Sequence, residues 1–359
     1  MKLNLLFLQN HSRNTPNVQD NNNKKPDICT YPLKIARISS DQLNPHPLFS
    51  LPTRISTKSI VDLRSNLPPP YDQGSLGSCT ANALCAAYQF LDKSMGIPSR
   101  LFVYYNERDL LVHTDEDTNE DSGAYLSDGI DCLVKNGVCS EASWPYIITN
   151  FSVKPPPVCY EQALSHQVLQ THTIPNNLNA MKKVLQSGLP FVTGISIYDS
   201  FESNNVTKTG LVPMPDLTNE MFLGGHAVLV CGYNDTIQWY QNTTAKNKTG
   251  KTITRQITSS KQKGVWIVRN SWGVNWGAKG YFYLPYPYLL NPMMACDQWV
   301  IENVELPTSA PKSATTSATT LVLPIKNTSV ATATPRRKPF PLFANRLLVS
   351  GGGGCGCGH

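Results

Sequence analysis

The chain has 359 residues, 40% hydrophobic and 9% aromatic, enough for one large or two medium domains and too apolar for global disorder. Its net charge of +6 is modest for the length and gathers into no concentrated basic face, so nucleic acid is not an expected partner. No apolar run approaches the ~18 residues of a membrane span, and "MKLNLLFLQN" has too short an apolar stretch, with no small-residue cleavage site after it, for a signal peptide.

Residues 1–55 are polar, Asn- and Pro-rich and without sustained periodicity, a composition expected to be disordered. The segment fits a pro-region, a targeting arm or filler. From Val61, "VDLRSNLPPPYDQG" is expected to be extended, because residues before proline avoid the helical region. "SCTANALCAAYQFLDK" then predicts a helix, with Ala83, Leu84, Ala87, Tyr88 and Leu91 making one apolar face. Ser78 is the natural N-cap, which places Cys79 in the first turn. "SRLFVYYNERDLL" predicts a second helix, and "LSDGIDCLVKNG" a third that ends at Gly137. Before the third, "DEDTNEDSG" from Asp115 has acids where a calcium loop begins. Glu120 stands where that loop needs Gly and Leu126 where it needs Glu, so a solvated acidic loop is expected and no metal.

"AMKKVLQSG" predicts one more helix, stopped by a glycine, and the pattern then turns to strands. "PFVTGISIY", "HAVLVCGYN", "GVWIVRNSW" and "GYFYLPY" are short, apolar and rich in β-branched and aromatic residues. Helices first and strands later imply an α+β fold with two subdomains. Residues 234–263, rich in Thr, Lys and Asn between two strong strands, are expected to be a surface insertion in a hairpin. Residues 307–359 form a Pro/Ser/Thr/Ala linker and a tail, "GGGGCGCGH", expected to be exposed with two free thiols, Cys355 and Cys357. The ten cysteines include no Cys-x-x-Cys pair, which weighs against a zinc ribbon. Seven Asn-x-Ser/Thr sequons matter only on a secretory route.

The chemistry centres on Cys79. A thiol becomes a strong nucleophile as a thiolate, and its pKa falls at a helix N-terminus and beside an imidazolium. The helix start comes from local sequence; the imidazole must come from one of seven histidines. His226 stands out in "GGHAVLVCGY", at the start of an apolar strand behind two glycines that allow close approach. "VWIVRNSWGVNWGAKGY" ends a strand at Asn270, whose amide is suited to orient the second ring nitrogen of a histidine, with Trp272 to keep water out.

"QGSLGSC", "GHAVLVCGY" and "NSWGVNWGAKGY" resemble the papain-like cysteine peptidases, in the family order Cys, His, Asn and with the family spacing of six from Gln73 to Cys79. "VDLR" at 61–64 resembles the start of a mature papain-like domain, and the resemblance covers roughly residues 56–306. It implies a papain-like two-subdomain fold, with a helical left subdomain at about 70–165, a β-barrel-like right subdomain at about 166–306 and the active site in the cleft between. By position Cys79 is the implied nucleophile, His226 its proton partner and Asn270 the orienting amide. Gln73 and the Cys79 N–H are the implied oxyanion-hole donors, and Trp272 the shield. Gly123, Ala124 and Gly225 are implied substrate contacts. No cofactor and no metal are implied, and the partner is a polypeptide substrate.

The departures are local. Leu76 replaces a disulfide cysteine, Thr80 replaces a tryptophan and Gly225 stands where Asp or Asn often precedes the histidine. They resemble a bacterial and large-DNA-virus branch; with neither a signal peptide nor a membrane span expected, an intracellular or virion-associated location is slightly favoured over secretion. In that branch Cys139 and Cys159 are able to pair, the compartment deciding. The insertion carries no paired histidines, unlike the occluding loop of dipeptidyl-peptidase types, so an endopeptidase working through a Cys79 thiolate/His226 imidazolium pair and an acyl-enzyme is expected. An inactive binding module, or an acyl transferase or isopeptidase using the same residues, are the alternatives; the four filled positions favour activity.

Overall fold

The computed structural model describes residues 47–50, 58–109, 118–246, 252–259 and 262–306. The expectations for the first 46 residues, for Asp115 to Asp117 and for the tail from 307 lie outside the described residues.

Helix α1 (Cys79–Leu91) was expected to bury one face; instead every residue from Cys79 to Gln89 is buried. Small side chains (Ala81, Ala83, Ala86, Ala87) let neighbours approach from all sides, and the buried Thr80, Asn82 and Gln89 each have a partner. Thr80 bonds Glu107, Asn82 bonds Ser78 and Arg100, and Gln89 accepts from Tyr71. Ser78 occupies the N-cap position without capping. Its hydroxyl is 2.6 Å from the Tyr146 hydroxyl and accepts Asn82 Nδ2 at 3.0 Å, so tertiary partners outcompete the local cap.

Helices α2 (Arg100–Asp109) and α3 (Leu126–Lys135) pack on α1. α3 buries Leu126, Gly129, Ile130 and Leu133 at helical spacing. Gly129 allows the close approach, because a Cβ there would stand 2.3 Å from Leu84 Cδ1. Past α3, Gly137 has φ +71°, and a Cβ would stand 2.0 Å from the Ala163 carbonyl at the end of α4 (Pro157–Ala163), so only glycine fits.

The strands β1 (Ile60–Asp62), β2 (Val168–Thr173), β3 (Phe191–Tyr198), β4 (Phe222–Gln238), β7 (Lys263–Arg269), β8 (Tyr281–Pro285) and β9 (Ala295–Val304) form one antiparallel sheet. Its order is β2-β9-β3-β4-β7-β8, with β1 also on β4. Alternation along β4 divides the interior. Ala227 and Leu229 pack with α1, whereas Val228 and Val230 join a second core with Met181 and Val184 of α5 (Leu178–Gln186). The short helices α6 (Asn204–Thr209) and α7 (Tyr286–Leu290) complete that second side.

Two boundaries differ from expectation. β4 begins at Phe222, so His226 lies inside the strand; Gly224 and Gly225 pair with Ile197 and Ser196 of β3, and cross-strand bonding overrides the local glycine signal. The polar stretch after β4 contains its own hairpin, β5 (Gln241–Lys246) with β6 (Thr252–Ile257), a sheet separate from the main one. No described helix is long and apolar enough to cross a membrane.

Candidate active site

Cys79 is the first residue of α1, and His226 and Asn270 come from β4 and from the residue after β7. β4 and β7 are hydrogen-bonded neighbours, which brings His226 and Asn270 side by side. His226 Nε2 lies 2.8 Å from Asn270 Oδ1. That same oxygen accepts the Ser271 N–H at 2.8 Å, which identifies it as the carbonyl oxygen. Nε2 is therefore the protonated ring nitrogen, and in the neutral ring Nδ1 is left as the base. Trp272 stacks on the imidazole, centroids 5.0 Å apart at 29°, and is braced edge-on by Phe201 at 5.8 Å and Trp276 at 4.9 Å. Cys79 and Ala227, the residue after His226, belong to the same buried core, so the thiol and the imidazole converge where α1 meets β4.

Gln73 is 2% exposed and tied on both sides of its amide. Ser271 Oγ donates to its Oε1 at 2.5 Å, and its Nε2 donates to the Leu76 carbonyl at 2.9 Å, which leaves one N–H uncommitted. Its own backbone N–H donates to the Ser271 carbonyl at 2.8 Å, locking the turn before α1 to the residue after Asn270. Gly225 neighbours His226 on β4, and Gly123 and Ala124 are buried just before α3, with the Gly123 N–H donating to Tyr104 Oη at 3.3 Å. Leu76 is buried in the helical core, and Thr80 donates to Glu107 Oε1 at 2.5 Å.

Electrostatically the site is dry. Burial pushes the Cys79 thiol up to about 12, against the Ala227 N–H, which favours the thiolate; the nearby Glu107 adds to the rise. Burial also pushes His226 down to about 4, against the Asn270 hydrogen bond. Burial thus favours the neutral form of each group. Glu107 is raised to about 8, first by burial, against its bond from Thr80.

Cys139 and Cys159 are buried free thiols, and the Cys159 S–H donates to the Ser143 carbonyl at 3.8 Å. The sequence did not single out Ser271, Arg100, Tyr146 or Asp121. Ser271 sits within the "NSWG" run, whereas Asp121 was read as one acid of a solvated loop yet accepts the Gly77 N–H.

The chain matches the family described as papain family cysteine protease over residues 57–288. It is 37% identical over 280 residues to a peptidase C1-like protein of Acanthamoeba polyphaga mimivirus, covering 72% of this chain and 80% of the relative. It is 27% identical to procathepsin L of Felis catus, covering 65% of this chain and 62% of that one. Among solved structures it is similar to xylellain, a cysteine protease from Xylella fastidiosa, at 34% identity and TM-score 0.60, covering 79% of this chain and 99% of that one.

Proposed function

From the premise that the chain belongs to the papain family of cysteine proteases, we propose a cysteine-type endopeptidase that cleaves polypeptides through a Cys79 acyl-enzyme. The observation that carries the assignment is the oriented imidazole: Asn270 Oδ1 lies 2.8 Å from His226 Nε2, Trp272 stacks on the ring, and Cys79 packs with Ala227, the next residue of β4.

The neutral imidazole takes the thiol proton at Nδ1 as the substrate carbonyl arrives, and sulfur attacks the carbonyl carbon. Thiolate and imidazolium form together because neither charge is stable alone in this burial. The N-terminal end of the 13-residue α1 places partial positive charge at the sulfur and favours the thiolate. The carbonyl oxygen becomes an oxyanion, which takes the uncommitted Gln73 N–H and the Cys79 backbone N–H. The imidazolium then protonates the leaving amine, the acyl group stays on Cys79, and water assisted by His226 releases it. Gly123, Ala124 and Gly225 offer backbone approach for the substrate chain.

The assignment is tested by intact-mass analysis after treatment with an electrophilic epoxide. The wild type should gain one label, and Cys79→Ala should gain none and lose all hydrolysis. Labelling of the alanine variant at the wild-type rate would overturn the assignment.

A further inference from the structure

Asp121 makes a contact that the catalytic groups themselves do not account for. Its two carboxylate oxygens accept the Gly77 N–H at 3.1 and 3.0 Å. That N–H belongs to the same planar peptide unit as the Leu76 carbonyl. The Leu76 carbonyl accepts Gln73 Nε2 at 2.9 Å and the Ser78 N–H at 2.8 Å. One rigid plane therefore faces Asp121 on one edge and Gln73 on the other. Tilting it would move both edges at once.

The carboxylate is held in turn. Tyr104 Oη–H donates to Asp121 Oδ1 and accepts the Gly123 N–H at 3.3 Å. Arg108, 4.1 Å above the Tyr104 ring, donates to the carbonyls of Thr118 and Glu120 at 2.7 Å each, fixing the segment that leads into Asp121. We infer that Asp121 is a positioning residue for the oxyanion hole, orienting Gln73 through the Leu76–Gly77 peptide. The charge-assisted bond also joins the nucleophile turn to the Gly123–Ala124 strip, a non-covalent tie at a turn where Leu76 excludes the family's disulfide. The inference rests on the peptidase reading above, with Gln73 as an oxyanion donor.

A double-mutant cycle tests it, with steady-state hydrolysis of a fluorogenic peptide by wild type, Asp121→Ala, Gln73→Ala and the pair. Loss of a charge-assisted bond should lower kcat about 10- to 100-fold in Asp121→Ala with little change in KM. In the Gln73→Ala background the same substitution should cost less than about threefold. Asp121→Asn, whose side-chain oxygen still accepts from Gly77, should keep about a third of the activity or more. Alkylation of Cys79 by iodoacetamide, which develops no oxyanion, should stay within about twofold. Equal losses in both backgrounds, or a parallel fall in alkylation, overturn the inference. Should Asp121→Ala not fold, Tyr104→Phe serves in its place, with about a threefold loss that likewise vanishes without Gln73.

Hydrogen exchange at the Gly77 amide, in a Cys79→Ala background, separates the two readings. An inactive wild type whose Gly77 loses protection on Asp121→Ala sinks the peptidase reading, and the inference about the oxyanion hole with it, but leaves the clamp. An active wild type with unchanged Gly77 exchange sinks the clamp.

Discussion

Replacing Glu107 by glutamine should remove a pH-dependent weakness built into α2. The carboxyl is fully buried; Oε1 accepts the Thr80 hydroxyl, and Oε2 has no hydrogen-bond partner among the described residues. Oε2 lies against Gly129, where an added Cβ would be 2.6 Å away. Burial, with the neighbouring Asp128 charge acting the same way, raises this group from 4.5 to about 8. The folded protein thus keeps the proton up to about pH 8, while the unfolded chain releases it near 4.5. A raised folded pKa means that the stability contribution is complete below 4.5 and is lost as pH climbs from there to about 8. Over that interval, at roughly 1.4 kcal/mol per pH unit, the loss is about 5 kcal/mol. Glutamine keeps an oxygen for Thr80 and places its NH2 where the protonated acid has its O–H; its second N–H adds a cost that does not change with pH. The stability difference should therefore move by about 3–5 kcal/mol in favour of Glu107→Gln between pH 5 and pH 8. Urea unfolding followed by tryptophan fluorescence at pH 5, 6.5 and 8 measures this, in a Cys79→Ala background that prevents self-digestion. Curves that stay parallel within about 1 kcal/mol across that range would refute it.

Two further expectations concern the site and its support. In His226→Ala the thiol loses the imidazole proposed as its proton acceptor, in a site whose burial pushes Cys79 up to about 12. Iodoacetamide alkylation at pH 6.5 should then fall about 100-fold or more and climb without a plateau to pH 10; a neutral-pH rate equal to that of wild type would exclude the paired mechanism. Arg100 grips Glu141 with two nitrogens at 2.9 and 2.8 Å, donates to the Asp72 carbonyl and Asn82 Oδ1, and lies over the rings of Tyr71 and Tyr146. Lysine cannot reproduce that fork, so Arg100→Lys should cost about 2–4 kcal/mol in urea unfolding; a loss under about 0.5 kcal/mol would show that the contacts are incidental.

Much of this protein is written in short-range pattern. Apolar spacing along Cys79–Leu91 and Leu126–Lys135, and the β-branched runs at Phe191–Tyr198 and Lys263–Arg269, mark helices and strands where the structure has them. Cys79, His226, Asn270, Gln73 and Trp272 stand out by residue type and neighbours, since a thiol at a helix start and an amide after a strand are local features. Strands β2 and β9 were not legible, because their residues do not alternate cleanly and only mutual pairing and β3 make them strands.

The sequence by itself marked the candidate site residues and most of the segments that are helical or extended, because side-chain type and periodicity act within a few residues. Tertiary structure alone decided the rest: that Ser78 serves Tyr146 rather than its helix, that His226 lies within a strand, that Glu107 is sealed beneath the nucleophile, and that Asp121 reaches Gly77, distant in sequence. Hydrogen-bond competition and desolvation depend on what the rest of the chain brings to a point in space, and no local window contains that information.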